Sequence, residues 1–96
     1  RQKIHLAAVF ACNFTNHMFA IADAILNNSK NNFQLLLPLI NQTVEKIKKQ
    51  KPSEIQTGPA ARKDLNIIQQ HIDSLSDNRT KEIYKIISYS IMENND

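Results

Sequence analysis

Residues 5–26 read HLAAVFACNFTNHMFAIADAIL, without a glycine or a proline. Leu6, Val9, Phe10, Phe14, Met18, Phe19, Ile21, Ile25 and Leu26 spread around the full turn when each residue advances by about 100°. The spacing predicts one helix from Lys3 to about Asn28, roughly 40 Å long at 1.5 Å per residue. A helix apolar almost all round is normally a central one, covered on several sides. The stretch therefore predicts an all-α domain built around one long helix.

The rest of the chain supports that class, with one glycine and three prolines in 96 residues. The cluster NNSKNN (27–32) ends the first helix. A second helix is expected from Asn31 or Asn32, residue types suited to an N-cap, to about Gln50. Its apolar face is Leu36, Leu39, Ile40, Val44 and Ile47, and Pro38 is expected to bend it. A third helix is expected to open at GPAARKD (58–64), with Leu65, Ile68, Ile72 and Leu75 as its stripe. The break SDN (76–78) offers a cap for a fourth helix, Arg79 to Met92, with Ile83, Ile86, Ile87 and Ile91 inward. The tail ENND is expected to fray. The expectation is a bundle of about four helices in a single domain, residues 1–96.

A net charge of +3, from twelve basic and nine acidic residues, is too weak and too dispersed for a nucleic-acid stripe. The basic run EKIKKQK (45–51) reads as a solvated last turn whose lysines suit the negative end of the helix dipole, or else as an anion patch. No run approaches the ~18 apolar residues of a membrane span, so no membrane partner is expected. The single Cys12 excludes an internal disulfide, fits a reducing, cytoplasmic setting, and reads as a small buried hydrophobe. His5, His17 and His71 match no known ligand spacing, so no metal is expected. The chain enters its apolar pattern directly at Arg1, which reads as a domain cut from a longer protein.

Two groups of polar residues stand out. On the first helix His5, Asn16, Asp23 and Asn27 fall within a narrow arc at 100° per residue, and Asn13 and His17 widen it. This stripe either faces water or forms a cleft wall. It lacks the lysines and glutamates usual on a solvated face, and its amides and imidazoles both donate and accept hydrogen bonds. On the third helix Asp64 and His71 project with Ile68 and Leu75, a setting in which a polar group is paired or faces a ligand. Ahead of them lies QTGPAARKD (56–64). Pro59 suits the first position of a helix, Gly58 or Thr57 suits its cap, and Arg62 one turn in could hold a carboxylate or phosphate bidentately.

HLAAVFACNFTNH (5–17), QTGPAARKD (56–64) and His71 together resemble a family of oxidoreductase-like proteins that pair an N-terminal Rossmann-like domain with a C-terminal domain of unknown function 2520. The resemblance covers nearly the whole chain. It implies an all-α domain similar to the C-terminal domain of 6-phosphogluconate dehydrogenase, which closes a substrate cleft and builds a homodimer. It implies that NADP or NAD is bound mainly by the N-terminal domain, that the substrate is a small molecule, and that this chain alone is inactive. Carried over by motif, Asn13, Asn16 and His17 line the cleft, and Gln56, Thr57, Gly58, Pro59, Arg62 and Asp64 form a signature corner beside His71. One departure matters. Related reductases carry a catalytic lysine four residues before an asparagine, whereas here Val9 and Cys12 precede Asn13 and Asn16, so that lysine chemistry does not transfer. No glycine-rich dinucleotide loop is present either.

Two functions follow from these residues. The first is the substrate-cleft and dimerisation domain of an NAD(P)-dependent oxidoreductase. The alternative is a non-catalytic helical module that recruits a partner or a second copy through its apolar first helix.

Overall fold

A computed structural model describes residues 1–27 and 32–94. All regular structure among them is helical: α1, Gln2–Leu26; α2, Leu37–Ile47; α3, Leu65–Ser74; and α4, Asn78–Asn94. The all-α class and the four helices are as expected. The chain divides into two compact units, Arg1–Gln42 and Thr43–Asp96.

In the first unit α1 is continuous but not uniform. Its middle, Val9–Phe14, is a π-helical segment between α-helical stretches Gln2–Ala8 and Thr15–Leu26. There the Thr15 hydroxyl donates to the Phe10 carbonyl five residues back at 3.3 Å, and the Phe10 and Phe14 rings meet edge to face at 5.0 Å. The predicted break at 27–32 falls largely on residues 28–31, outside those described. Asn32 behaves as the cap that its type suggests: it is extended at φ −134°, and its side-chain oxygen accepts from the Gln34 N–H at 2.9 Å. It opens a 3₁₀ turn, Phe33–Leu36, which leads into α2. Pro38 is the second residue of α2, where its missing N–H is no loss, so the expected bend is replaced by the 3₁₀ lead-in. Phe33 packs edge to face on Phe19 at 6.0 Å and ties this turn to α1.

Helix α1 is not covered as a central helix should be. None of its residues is buried within the chain, and Ile4 (76% exposed), Leu6, Phe10, Phe14 and Ile25 are open. Cys12 is exposed too, against the expectation of a buried thiol. The helix is also long and apolar enough to cross a membrane by length and composition, with a mean hydropathy of 1.3 over its best window, which corrects the expectation that no stretch comes close. The polar residues Asn13, Asn16 and His17 at its middle are the kind that a lipid core penalises.

The second unit has a small core in which Ala60, Ile68 and Ile72 are buried and Tyr84, Ile91 and Met92 pack against them. Ser88 on α4 is buried too, and no buried side-chain polar atom among the described residues lacks a partner. The predicted stripes hold in part. Leu65, at the mouth of α3, is 64% exposed, as are Ile86 (66%) and Ile87 (41%) on α4. The inner face of α4 runs instead through Tyr84, Ser88, Ile91 and Met92, the i, i+4, i+7, i+8 spacing of one helical face.

Helix α3 does not open at GPAARKD. Gly58 sits at φ +100°, and the Arg62 N–H bonds back to its carbonyl at 3.3 Å, making one turn. The Lys63 N–H then bonds the Ala60 carbonyl at 3.1 Å and the Asp64 N–H bonds that of Pro59 at 2.9 Å. Those two bonds, with Lys63 in the left-handed region at φ +55°, are a Schellman stop, normally made with glycine at the left-handed position. The turn closes, and Asp64 starts the real helix by accepting the Ile67 N–H on Oδ1 at 3.2 Å. Asp77 starts α4 in the same manner, accepting the Thr80 N–H at 3.0 Å and the Thr80 hydroxyl at 2.7 Å on Oδ2. The expected fraying of the tail is met by α4 continuing through Asn94; residues 95–96 lie outside those described.

Three outcomes follow, two for urea titrations and one for thermal melting. Lys63→Gly should stabilise by about 0.5–1 kcal/mol, because relief of a left-handed non-glycine residue, worth about 1–2 kcal/mol, exceeds the backbone entropy that glycine loses on folding. Gly58→Ala should destabilise by about 1–3 kcal/mol. An added Cβ there meets no atom within 4 Å, so that cost is conformational, and a silent Gly58→Ala would refute the positive φ. The Thr80 bonds hold the Asp77 carboxyl below the ordinary aspartate range. The contribution of Asp77 is therefore complete above about pH 3.9, the unfolded value, and is lost as pH falls through the lower folded value. Asp77→Ala should lower the melting temperature at pH 7, and the gap to the parent should close towards pH 2.

Candidate functional site

Polar residues gather at two places, one in each unit. In the first, Asn16, Phe19, Ala20 and Asp23 form one wall of an open groove whose other wall is Phe33 and Gln34. The spacing i, i+3, i+4, i+7 puts these four on one face of α1, and the Phe19–Phe33 contact supports it. Asn16 therefore lines a groove, as the cleft reading requires, and Asp23 from the same arc joins it. Asn13 and His17 do not line this groove; both are exposed, Asn13 within the π-helical segment. His17 follows Asn16 in the same α-helical stretch, about 100° around the helix from it.

In the second unit the signature corner is a set of tasks divided among neighbours. Thr57 and Gln56 line a hollow with Thr43, Lys46, Ile47, Pro52 and Ile55, and the Gln56 side-chain amide donates to the Thr57 carbonyl at 3.2 Å. Gly58 and Pro59 begin the isolated turn, and Arg62 ends it with its side chain exposed. Asp64 is occupied as the cap of α3. His71 lies two turns further on and is paired separately: its Nδ1 is 2.8 Å from the Tyr84 hydroxyl, and the rings meet edge to face at 5.8 Å. The structure thus meets the need for partners at Asp64 and His71 with two different partners.

Tyr84 is the residue that sequence reading misses. It stands thirteen positions from His71 on another helix, and no local spacing announces the pairing. Desolvation pushes its hydroxyl above the ordinary tyrosine value. The bond occupies Nδ1 and leaves Nε2 as the remaining polar atom of an exposed imidazole, whose orientation is set by Tyr84. A ring held in this way can bond an oxygen of a bound molecule or exchange a proton with it. Among the described residues no three of His, Cys, Asp and Glu are grouped as a metal would require.

With this geometry in view, the comparisons place the chain. It belongs to the family known as domain of unknown function DUF2520, whose model matches residues 1–91. A crystal structure of a protein from Bacteroides fragilis, described as a "putative NADP oxidoreductase", is 45% identical and superposes with a TM-score of 0.92 over 97% of this chain. The chain spans 36% of the length of that protein. No curated protein matches.

Tyr84→Phe removes the hydroxyl bonded to His71 and should cost about 1 kcal/mol of stability. It should also change the ¹⁵N shift of His71 Nδ1 in NMR spectra while leaving those of His5 and His17 in place. An unmoved His71 signal would disprove the pairing.

Proposed function

We propose that this chain is the helical substrate domain of an NADP-dependent oxidoreductase, joined to a Rossmann-like domain that precedes it in a longer cytoplasmic protein. The observation that carries the reading is the 45% identity, sustained over 97% of the chain, to part of a protein described in those terms. The dinucleotide is assigned to the other domain, because the single glycine of this chain, Gly58, belongs to an isolated turn rather than to a glycine-rich loop opening a helix. Hydride chemistry would belong to the cofactor on the other domain, and the residues here would bind and orient the substrate. Asn13, Asn16 and His17 from α1, and Thr57, Arg62 and His71 from the second unit, are the side chains assigned to that task. Asp64 supports them by setting where α3 begins.

The exposed apolar surface of α1 supports homodimerisation under the same reading. Ile4, Leu6, Phe10, Phe14 and Ile25 are open in the chain, and covering each side chain fully would be worth roughly 1.5–3 kcal/mol. A second copy of the protein, with the preceding domain, is the cover proposed. The same surface also favours the alternative, a non-catalytic module in which α1 serves recruitment alone.

The two readings part on cofactor and ligand. The full-length protein should quench and shift NADPH fluorescence on binding, and should bind NADPH more tightly than NADH. Asn16→Ala and Arg62→Ala should each weaken substrate binding about tenfold while leaving NADPH affinity unchanged. Failure to bind either nicotinamide would end the oxidoreductase reading in favour of the module. A monomer in sedimentation at micromolar concentration would end the dimer proposal.

A further inference from the structure

The run 45–51, basic and unused by the function above, borders the hollow lined by Thr43, Lys46, Ile47, Pro52, Ile55, Gln56 and Thr57. We propose that this hollow is the subsite for the carboxylate end of a small substrate acid, with Lys46 as its counter-ion; the assignment rests on the substrate-domain reading. Size argues first. A volume of about 160 Å³ lies well below the ~300–1,000 Å³ of pockets that hold a whole drug-sized ligand. It suits one end of a molecule.

Charge argues second. Glu45 is paired with Lys48, and Glu54 Oε1 accepts from the Lys51 backbone N–H at 3.2 Å. The two acids nearest in sequence are thus engaged, and the Lys46 ammonium has no salt-bridge partner among the described residues. The negative end of α2 opposes an anion here, but it is blunted, since the Lys46 carbonyl accepts from the N–H groups of Lys49 and Gln50 at 3.1 and 3.0 Å. A full lysine charge outweighs the remaining half-charge of the helix end.

Lining chemistry argues third. The Thr57 hydroxyl can donate to the same carboxylate, while Ile47, Pro52 and Ile55 provide an apolar wall for a short hydrocarbon. The lining holds no arginine, and the N–H groups of Glu54 and Ile55 are spent on Lys51 and Pro52. The guanidinium fork that many phosphate sites use is therefore lacking, and one lysine charge is the better match to a single negative charge.

The test uses the full-length protein with ¹³C-labelled isoleucine methyl groups, titrated with isobutyrate, isobutyramide and inorganic phosphate. Isobutyrate should shift the Ile47 and Ile55 methyl signals saturably, isobutyramide should not, and phosphate should bind more weakly than isobutyrate. Lys46→Gln should weaken isobutyrate about tenfold, as loss of a charged hydrogen bond does, with the other isoleucine signals unmoved to show an intact fold. Thr57→Val should weaken it less. Equal binding of the amide, tighter binding of phosphate, or no effect of Lys46→Gln would overturn the proposal. NADPH is titrated into the same sample. NADPH binding without an isobutyrate response defeats this inference alone. Isobutyrate binding without NADPH defeats the oxidoreductase reading and, with it, the assignment of the hollow to a substrate.

Discussion

Lys63 stands at φ +55°, and the second unit depends on it. By turning the backbone left-handed, it closes the short turn begun at Gly58 and frees Asp64 to cap a new helix. Had the turn run on into α3, the Asp64 carboxylate would have lain inside a helix, with no free N–H to receive. The stop fixes the phase of α3, and that phase points Ile68 and Ile72 at Ala60 and at the inner face of α4. A core with so few buried residues has little reserve, so the conformation of one lysine matters more here than it would in a large domain.

The same phase carries the chemistry. His71 lies between Ile68 and Ile72 on α3, and its height along the helix is what lets Nδ1 meet Tyr84. Thr57 lies on the other side of the turn, before the backbone reverses hand, and so lines the hollow with the end of α2. The signature QTGPAARKD thus combines architectural and recognition roles. Gly58, Lys63 and Asp64 shape the path, while Thr57 and Arg62 present side chains from it.

Much of this was legible in the sequence, for local reasons. Four apolar segments separated by asparagine and aspartate clusters gave four helices, and Asn32 and Asp77 act as the caps their residue types suggest. What could not be read depends on information that no local pattern holds. A lysine carries no signal for a left-handed backbone, so the start of α3 was placed six residues early. Isoleucines at 86 and 87 look inward by type, yet the buried residue there is Ser88. The Tyr84–His71 bond is tertiary. On the polar stripe Asn16 lines the groove and Asn13 does not, and Asn13 stands in the π-helical segment, where a constant angle of 100° per residue does not apply.

That segment, Val9–Phe14, has a consequence of its own. A π-helical segment takes up an additional residue while the helix runs on from Gln2 to Leu26, so the angular registers of its two ends are offset. Residues before Val9 and after Phe14 need not answer to the same neighbour. One half of the rod can be tuned to one contact and the other half to another, with the slack between them absorbed at a single place. A residue gained or lost elsewhere in α1 would rotate one half against what it touches; within this stretch the helix already has the geometry to accommodate it.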